Sequence, residues 1–425
     1  MGQFPAGSRM NQESLWHFDG DSGTQIRKLT PKRPQSDKAG LADIFPYYAG
    51  FSFEWAKGQL RLEGFDENAV VLDPWNGSGT TTLAARVNDL KSVGVDLNPI
   101  ANIVAYLRLQ DADHMEPCAA PTARSARASQ HEPLLAWFSS RTAGRFRQWS
   151  RSLSKQPHST SSLGYVALFR VTRSLTKGFE GSNPTWVRRA SNSEDVVDVA
   201  SRDLDDLIVQ EQRHVKDRVS EESHPGCPAS IIRASSACLP MAEESVDFIL
   251  SSPPYLTRID YAVAYSRELA ILGVDISKDR SLRSSLMGTT LIRRRRDVIR
   301  QEGYGPKASQ LVENISKHDS KASSGYYLKQ AKQYLDDLTL SFDELTRVSK
   351  RHALMTLVVQ DSYYKEVPIR LAEICVEEAE RRGWSFIDWD QAEVTRLLTQ
   401  VNTAARAYPK GKVAETVVTL RRKRS

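Results

Sequence analysis

Two short stretches of this chain carry residue types whose spacing can do chemistry. The first is Asp73-Pro74-Trp75-Asn76-Gly77-Ser78-Gly79-Thr80-Thr81, which follows an apolar run and opens a helical pattern. Gly77 and Gly79 permit a tight turn and let a ligand approach the backbone, while the first turn of the helix offers free N–H groups. A second carboxylate, Asp96, closes the next apolar run, where it can accept the two hydroxyls of a ribose. The glycine spacing is neither that of a dinucleotide turn nor that of a P-loop. A carboxylate at the head of the turn disfavours a phosphate and favours a cationic ligand. S-adenosylmethionine meets these conditions, with an amine for Asp73, a ribose for Asp96 and no phosphate. The cofactor set expected from this reading is Asp73, Pro74, Trp75, Gly77, Ser78, Gly79, Thr80 and Asp96.

The second stretch is Ser252-Pro253-Pro254-Tyr255, directly after the apolar run VDFIL. Two prolines cannot continue a central strand, so the chain must leave the sheet in a stiff extended turn. An exocyclic amine on a nucleobase is a poor nucleophile because its lone pair is delocalised into the ring. Accepting its protons draws that lone pair out. The Ser252 side chain and the Pro253 carbonyl are suitable acceptors, Pro254 holds them still, and Tyr255 can stack on the base.

These residues need a scaffold, and the pattern of the chain supplies one. Residues 69–109 alternate between short apolar runs and helical periodicity, a βαβ unit that implies a parallel sheet. The rhythm breaks over 111–228, resumes at PASIIRASSA and SVDFILSS, and breaks again over 275–323. A helix is expected from Tyr326 to Lys350, with apolar positions at Ala331, Tyr334, Leu335, Leu338, Phe342, Leu345 and Val348. Strands around ALMTLVV, WSFIDWD and AETVVTLRR and a helix in VPIRLAEICVEEAERRG complete the domain. The expected organisation is thus a mobile arm over 1–38, a catalytic domain over 39–110 and 229–425, an inserted DNA-binding region over 111–228, and a basic irregular segment over 275–323.

The chain has 425 residues, 40% hydrophobic and 26% charged, which excludes a wholly disordered or collagen-like protein. No apolar run is long enough for a membrane span, and the first residues lack the apolar core of a signal peptide, so a cytoplasmic protein with no membrane partner is expected. The four cysteines form no C-x-x-C pair and the eight histidines show no metal-ligand spacing, so no metal is expected. Pro117-Cys118 lies in a polar stretch and is a poor nucleophile candidate.

The formal charge of +6 is unevenly spread. Arg141 to Glu180 holds eight basic residues and one acid, and Lys278 to Arg300 holds eight basic residues and two acids. Such segregation marks a polyanion binder. The expected DNA contacts are Arg145, Arg147, Arg151, Arg293, Arg294, Arg295 and Arg296, with Trp186 and Arg188 able to wedge or stack on nucleic acid.

At this point the chain resembles the S-adenosylmethionine-dependent amino-methyltransferases of DNA. DPWNGSGTT is similar to that family's DPFxGSGTT cofactor motif, with Trp75 in place of Phe, and GVDLNP with Asp96 resembles its ribose-binding motif. SPPY resembles its catalytic motif in the form associated with cytosine N4. Residues Phe45 to Phe51 resemble the segment that packs over the methionine part of the cofactor, which adds Tyr48 and Phe51 to the expected cofactor set. The resemblance implies an α/β, Rossmann-like class I methyltransferase sheet of seven strands, the last antiparallel, carrying a mainly helical basic insertion. It also implies double-stranded DNA as substrate and a restriction or defence-system partner. Two features depart from the family: the cofactor motif precedes SPPY, and Ser235 stands where many relatives carry an acid. Adenine-N6 methylation, RNA guanine-N2 methylation and a non-catalytic nucleic-acid-binding subunit are the alternatives.

Overall fold

An unbroken apolar run that ends in a carboxylate makes the first strand, β1 (Val70–Asp73), in the interior of the sheet. The computed structural model describes residues 31, 41, 44–47, 50–122, 127–181, 186–222, 226–256, 259–293, 303–320, 323–394 and 413–423. Apart from Pro31, the arm expected over 1–38 lies outside the described residues.

Helix α1 (Phe53–Leu62) precedes β1; α2 (Thr80–Val87), β2 (Lys91–Val95) and α3 (Pro99–Arg108) complete the βαβ unit. Asn98 caps α3 by accepting the Ile100 N–H at 3.1 Å, with Pro99 in the first turn. Helices α4 (Ser140–Leu153), α5 (His158–Leu175) and α6 (Ser201–Glu221) follow, then β3 (Ala229–Ile232) and β4 (Val246–Ser251). The chain continues through α7 (Tyr261–Ala264), α8 (Ser266–Ile271), α9 (Ser281–Ser285), α10 (Pro306–Lys317) and α11 (Leu328–Val348). It ends with β5 (Ser349–Gln360), the hairpin β6 (Ser362–Tyr364) and β7 (Val367–Ile369), α12 (Leu371–Glu380), β8 (Trp384–Val394) and β9 (Val413–Arg422).

Seven strands lie in the order β3-β2-β1-β4-β5-β9-β8. All neighbouring pairs from β3 to β5 are parallel, and β9 runs antiparallel to both β5 and β8. This is a Rossmann-like α/β sheet, and its antiparallel last strand is AETVVTLRR, as expected. Period-two alternation sorts the core: Val71, Phe248 and Leu250 face α1 and α2, while Leu72, Ile249 and Met355 face α11 and α12.

The inserted region over 111–228 is packed onto the rest of the chain: Trp149, Leu163 and Phe169 of α4 and α5 share one core with Ile100 and Val104 of α3 and with Leu269 of α8. The segment 275–323 is irregular only in part, since it contains α9 and α10. Among the described residues, no helix is long and apolar enough to cross a membrane.

Candidate active site

The sheet order reverses direction between β1 and β4, and both strands end at the same edge. Open α/β sheets place their ligands in the crevice that such a reversal creates. Here Asp73 ends β1, Asp96 follows β2, and Ser252 follows β4. One cleft of about 700 Å³, counted to its open mouth, is bounded by Pro74, Gly77 and Asp96 on one side and by Ser252, Pro254 and Tyr261 on the other. A smaller adjoining cavity is lined by Phe51, Asp73, Ser78 and Thr80, and Trp75, Gly77, Tyr47 and Ser252 reach both.

Gly77 and Gly79 take left-handed conformations, at φ 51° and 84°. A side chain on Gly77 would begin 3.0 Å from the Tyr47 ring. At Gly79 the added carbon would sit 2.8 Å from the Ala105 side chain, so this glycine serves the close approach of α2 to α3 rather than the ligand. Ser78 is likewise turned to structure: Arg108 donates to its carbonyl at 2.8 Å and to its hydroxyl at 3.2 Å.

Asp73 is 3% exposed and accepts from Ser251 Oγ at 2.5 Å, Thr81 Oγ1 at 2.7 Å and the Trp75 N–H at 3.1 Å. Asp96 accepts from the Gly77 N–H at 2.9 Å and the Asn98 N–H at 2.8 Å. Burial raises both carboxyls to about 6 against these hydrogen bonds, and the charge of Asp73 adds to the rise at Asp96. Two buried carboxylates in adjoining cavities repel a phosphorylated ligand and suit one that brings positive charge. The buried nitrogens Trp75 Nε1 and Asn76 Nδ2, on residues that also line these cavities, have no hydrogen-bond partner in the protein. Both nitrogens are shielded from solvent, the Asn76 amide lying against Gly94 of β2. The residues present therefore fit a zwitterionic, cationic nucleoside such as S-adenosylmethionine.

The turn after β4 is built around its prolines. Ser252 and Pro254 line the main cleft, while Pro253 is buried behind them. Tyr255, expected to hold the base, packs against the helical core, as Tyr261 does, and of the two Tyr261 lines the cleft. Tyr261 takes the aromatic place in the cleft wall, its ring stacked on Tyr47 with centroids 6.3 Å apart, and Tyr47 stacks in turn on Tyr265 at 4.7 Å. Burial pushes the Tyr261 hydroxyl far up, so it stays protonated. Asp260 caps α7 through the Val263 N–H at 3.2 Å and also accepts from Arg283 Nε at 2.9 Å and Thr290 Oγ1 at 2.7 Å. This ties the segment after α9, whose Leu286 and Met287 line the cleft, to the end of the turn after β4. Tyr48 lies outside the described residues; Tyr47, beside it, occupies the cleft.

The expected DNA contacts separate into three groups. Arg145 forms a double hydrogen bond with Asp205 at 2.8 and 2.6 Å, Arg147 pairs with Glu132 at 2.8 Å through two nitrogens, and Arg293 holds Asp337 through two bonds of 2.6 Å. These three are not available to phosphates, because their charge is already spent on internal carboxylates. Arg294, Arg295 and Arg296 lie outside the described residues. Arg151, Trp186 and Arg188 are exposed, Trp186 by 54%.

No family model matches the chain. It is similar to the Type II methyltransferase M.BsoBI of Geobacillus stearothermophilus, with 22% identity over 317 residues, covering 65% of this chain and 61% of that enzyme. Among solved structures it overlaps a SAM-dependent methyltransferase of Methanosarcina mazei at 8% identity, with a TM-score of 0.32 over 86% of this chain and 98% of the other. It overlaps the rRNA methyltransferase aviRa of Streptomyces viridochromogenes at 12% identity, with a TM-score of 0.30 over 92% and 94%. Scores this low add nothing to the sheet order.

Proposed function

We propose that this chain is an S-adenosylmethionine-dependent methyltransferase of double-stranded DNA that modifies the exocyclic N4 of cytosine. The observation that carries the proposal is a single cleft bounded by the carboxylate Asp96 on one side and the Ser252-Pro253-Pro254 turn on the other. The similarity to a Type II methyltransferase supports DNA as the substrate class.

S-adenosylmethionine, when bound, supplies an activated methyl group on a sulfonium. Asp96 accepts the ribose hydroxyls through lone pairs that its two backbone donors leave free, and Asp73 places negative charge near the amine. Trp75 and Gly77 would wall the cofactor, with Phe51 and Tyr47 lining the adjoining cavity. The target base must leave the duplex, since its amine cannot be reached while stacked. Ser252 Oγ and the Pro253 carbonyl accept the two protons of that amine, which concentrates its lone pair on nitrogen. The rings of Tyr47 and Tyr261 keep water from the nitrogen. Pro254 restrains the turn; direct attack would form the N–CH3 bond as the S–CH3 bond breaks, S-adenosylhomocysteine would leave, and the surplus amine proton would depart along the Ser252 hydrogen bond to solvent, with no covalent enzyme intermediate. Arg151, Trp186 and Arg188 contact the duplex outside the cleft.

Purified protein incubated with labelled S-adenosylmethionine and duplex DNA of varied sequence tests this, followed by nucleoside analysis. N4-methylcytosine is the expected product. Methyladenine overturns the choice of base, label on tRNA but not DNA overturns the substrate, and no label on either overturns the enzyme.

A further inference from the structure

The turn after β4 faces a difficulty created by its own composition. Pro253 and Pro254 have no N–H, so the turn has carbonyls to satisfy and few donors of its own. Their rings lock φ but leave ψ free, so the direction of each carbonyl must be set from outside. The neighbouring acceptors are indeed held by donors elsewhere. Leu250 O accepts from Thr81 Oγ1 at 3.0 Å, and Leu256 O accepts from Ser362 Oγ at 3.3 Å. Gly288, at φ 78°, passes so close that a side-chain carbon there would begin 3.2 Å from Tyr255 O. Within the turn itself, the hydroxyl of Tyr334 donates to Pro254 O at 2.6 Å. Among the described residues, no hydrogen bond is recorded at the Ser252 hydroxyl or the Pro253 carbonyl.

Tyr334 sits in α11 with its ring in the core, 1% exposed. Burial holds its hydroxyl well above the usual range, so it remains a donor at every working pH. One turn further along the same helix face, Asp337 lines the cleft and holds Arg293, while Gln333 accepts from the Arg293 N–H at 2.9 Å and donates to Leu291 O at 3.2 Å. Helix α11 thus grips the turn after β4 and the segment opposite it from one face.

We propose that Tyr334 is a positioning residue: its hydroxyl fixes the Pro254–Tyr255 peptide and so aims the Pro253 carbonyl and Ser252 at the acceptor nitrogen. With φ of Pro254 locked by its ring and the following peptide plane held by Tyr334, the Pro253–Pro254 peptide has little freedom left. The catalytic consequence rests on the methyl-transfer reading; the restraint on the turn does not.

Tyr334→Phe removes one oxygen and keeps the ring. Tyr304→Phe is the control, because Tyr304 donates to Asp336 on the same helix at 2.7 Å, away from the cleft. The expected result for Tyr334→Phe is a kcat lower by about 10- to 100-fold with KM for S-adenosylmethionine within about twofold. Hydrogen exchange of peptides spanning residues 250–256 is expected to quicken in Tyr334→Phe and not in Tyr304→Phe. Unchanged exchange in that turn overturns the inference whatever the wild type catalyses, and so does an equal loss of kcat in both variants. If the turn loosens in Tyr334→Phe while wild-type protein transfers no methyl group, the functional reading falls and the restraint stands.

Discussion

Lowering the pH is expected to expel the cofactor, and Asp73 and Asp96 set the size of the effect. Burial raises each carboxyl to about 6, whereas in the unfolded chain both would titrate near 4. The native state therefore binds protons more tightly than the unfolded state between about pH 4 and 6, and ionising these groups lowers stability as pH rises through that window. For the covered Asp73 the cost is about 3 kcal/mol by neutral pH; Asp96, partly open to the cleft, contributes less. A ligand that brings positive charge and ribose hydroxyls binds the ionised forms and recovers part of that cost. At about pH 5 a group with pKa near 6 is ionised in roughly one molecule in eleven, so affinity should fall about tenfold if one carboxylate must be charged and about 100-fold if both must. Calorimetric titration with S-adenosylmethionine between about pH 5 and 7.5 reads this directly, with circular dichroism confirming that the fold persists. Asp96→Asn should weaken binding at neutral pH and remove about half of the logarithmic slope. Affinity that is flat across this range in the wild type would refute the assignment of the two carboxylates to a cationic nucleoside.

Other perturbations separate structure from contact with DNA. Gly79→Ala forces an alanine into φ 84° with its side chain 2.8 Å from Ala105, and should cost about 2–4 kcal/mol in a denaturant titration. Arg147→Ala leaves Glu132 buried without its partner and strips two donors from the Ala270 and Ile271 carbonyls, so stability should drop by about 3–5 kcal/mol while the salt dependence of DNA binding by the folded fraction stays the same. Arg151→Ala should do the reverse, leaving stability within about 0.5 kcal/mol and reducing the logarithmic salt slope by about one. Trp186→Ala should weaken DNA binding by about 1–3 kcal/mol without lowering the unfolding midpoint, since the ring is exposed.

The parts of the site that were legible in the sequence are those made by local chemistry. A carboxylate at a strand end, glycines at a turn and prolines after a strand each act on their own neighbours, so Asp73, Gly77, Asp96 and Ser252 fall where their motifs place them. The parts that were not legible depend on partners far along the chain. Arg145 meets Asp205, Arg173 meets Glu268 and Arg293 meets Asp337, and no count of charge within one segment can see the acid that will neutralise it. Tyr334 was read only as an apolar position of a helix. That is correct for its ring, but periodicity says nothing of the hydroxyl that reaches Pro254. Tyr255 and Tyr261 show the same limit: spacing brings both near the turn, and only packing decides which faces the cleft. The helix expected from 326 to 350 ends at Val348 because Ser349 pairs with Val246 and begins β5.

Ion pairs also run between the insertion and α8 and fix how the insertion's surface is presented. Arg267 has a side chain with no exposed surface; it donates to Glu180 at 2.7 Å and to Thr176 Oγ1 at 3.0 Å. Glu180 bridges to Val187, Phe179 O accepts the Arg188 N–H at 3.0 Å, and Trp137 Nε1 donates to Arg188 O at 2.7 Å. The backbone on either side of Val187 is therefore fixed to α8, the helix that continues from α7 and its cleft-lining Tyr261. A desolvated ion pair adds little net stability over an apolar pair of the same volume, so what these pairs supply is a defined arrangement. On the proposed reading, the exposed Trp186 and Arg188 are set at a fixed place relative to Ser252. The charge that the sequence places in the insertion is divided between that internal frame and the cations exposed at its surface, Arg151, Lys155, Lys177 and Arg188 among them, and on the proposed reading the exposed ones meet DNA.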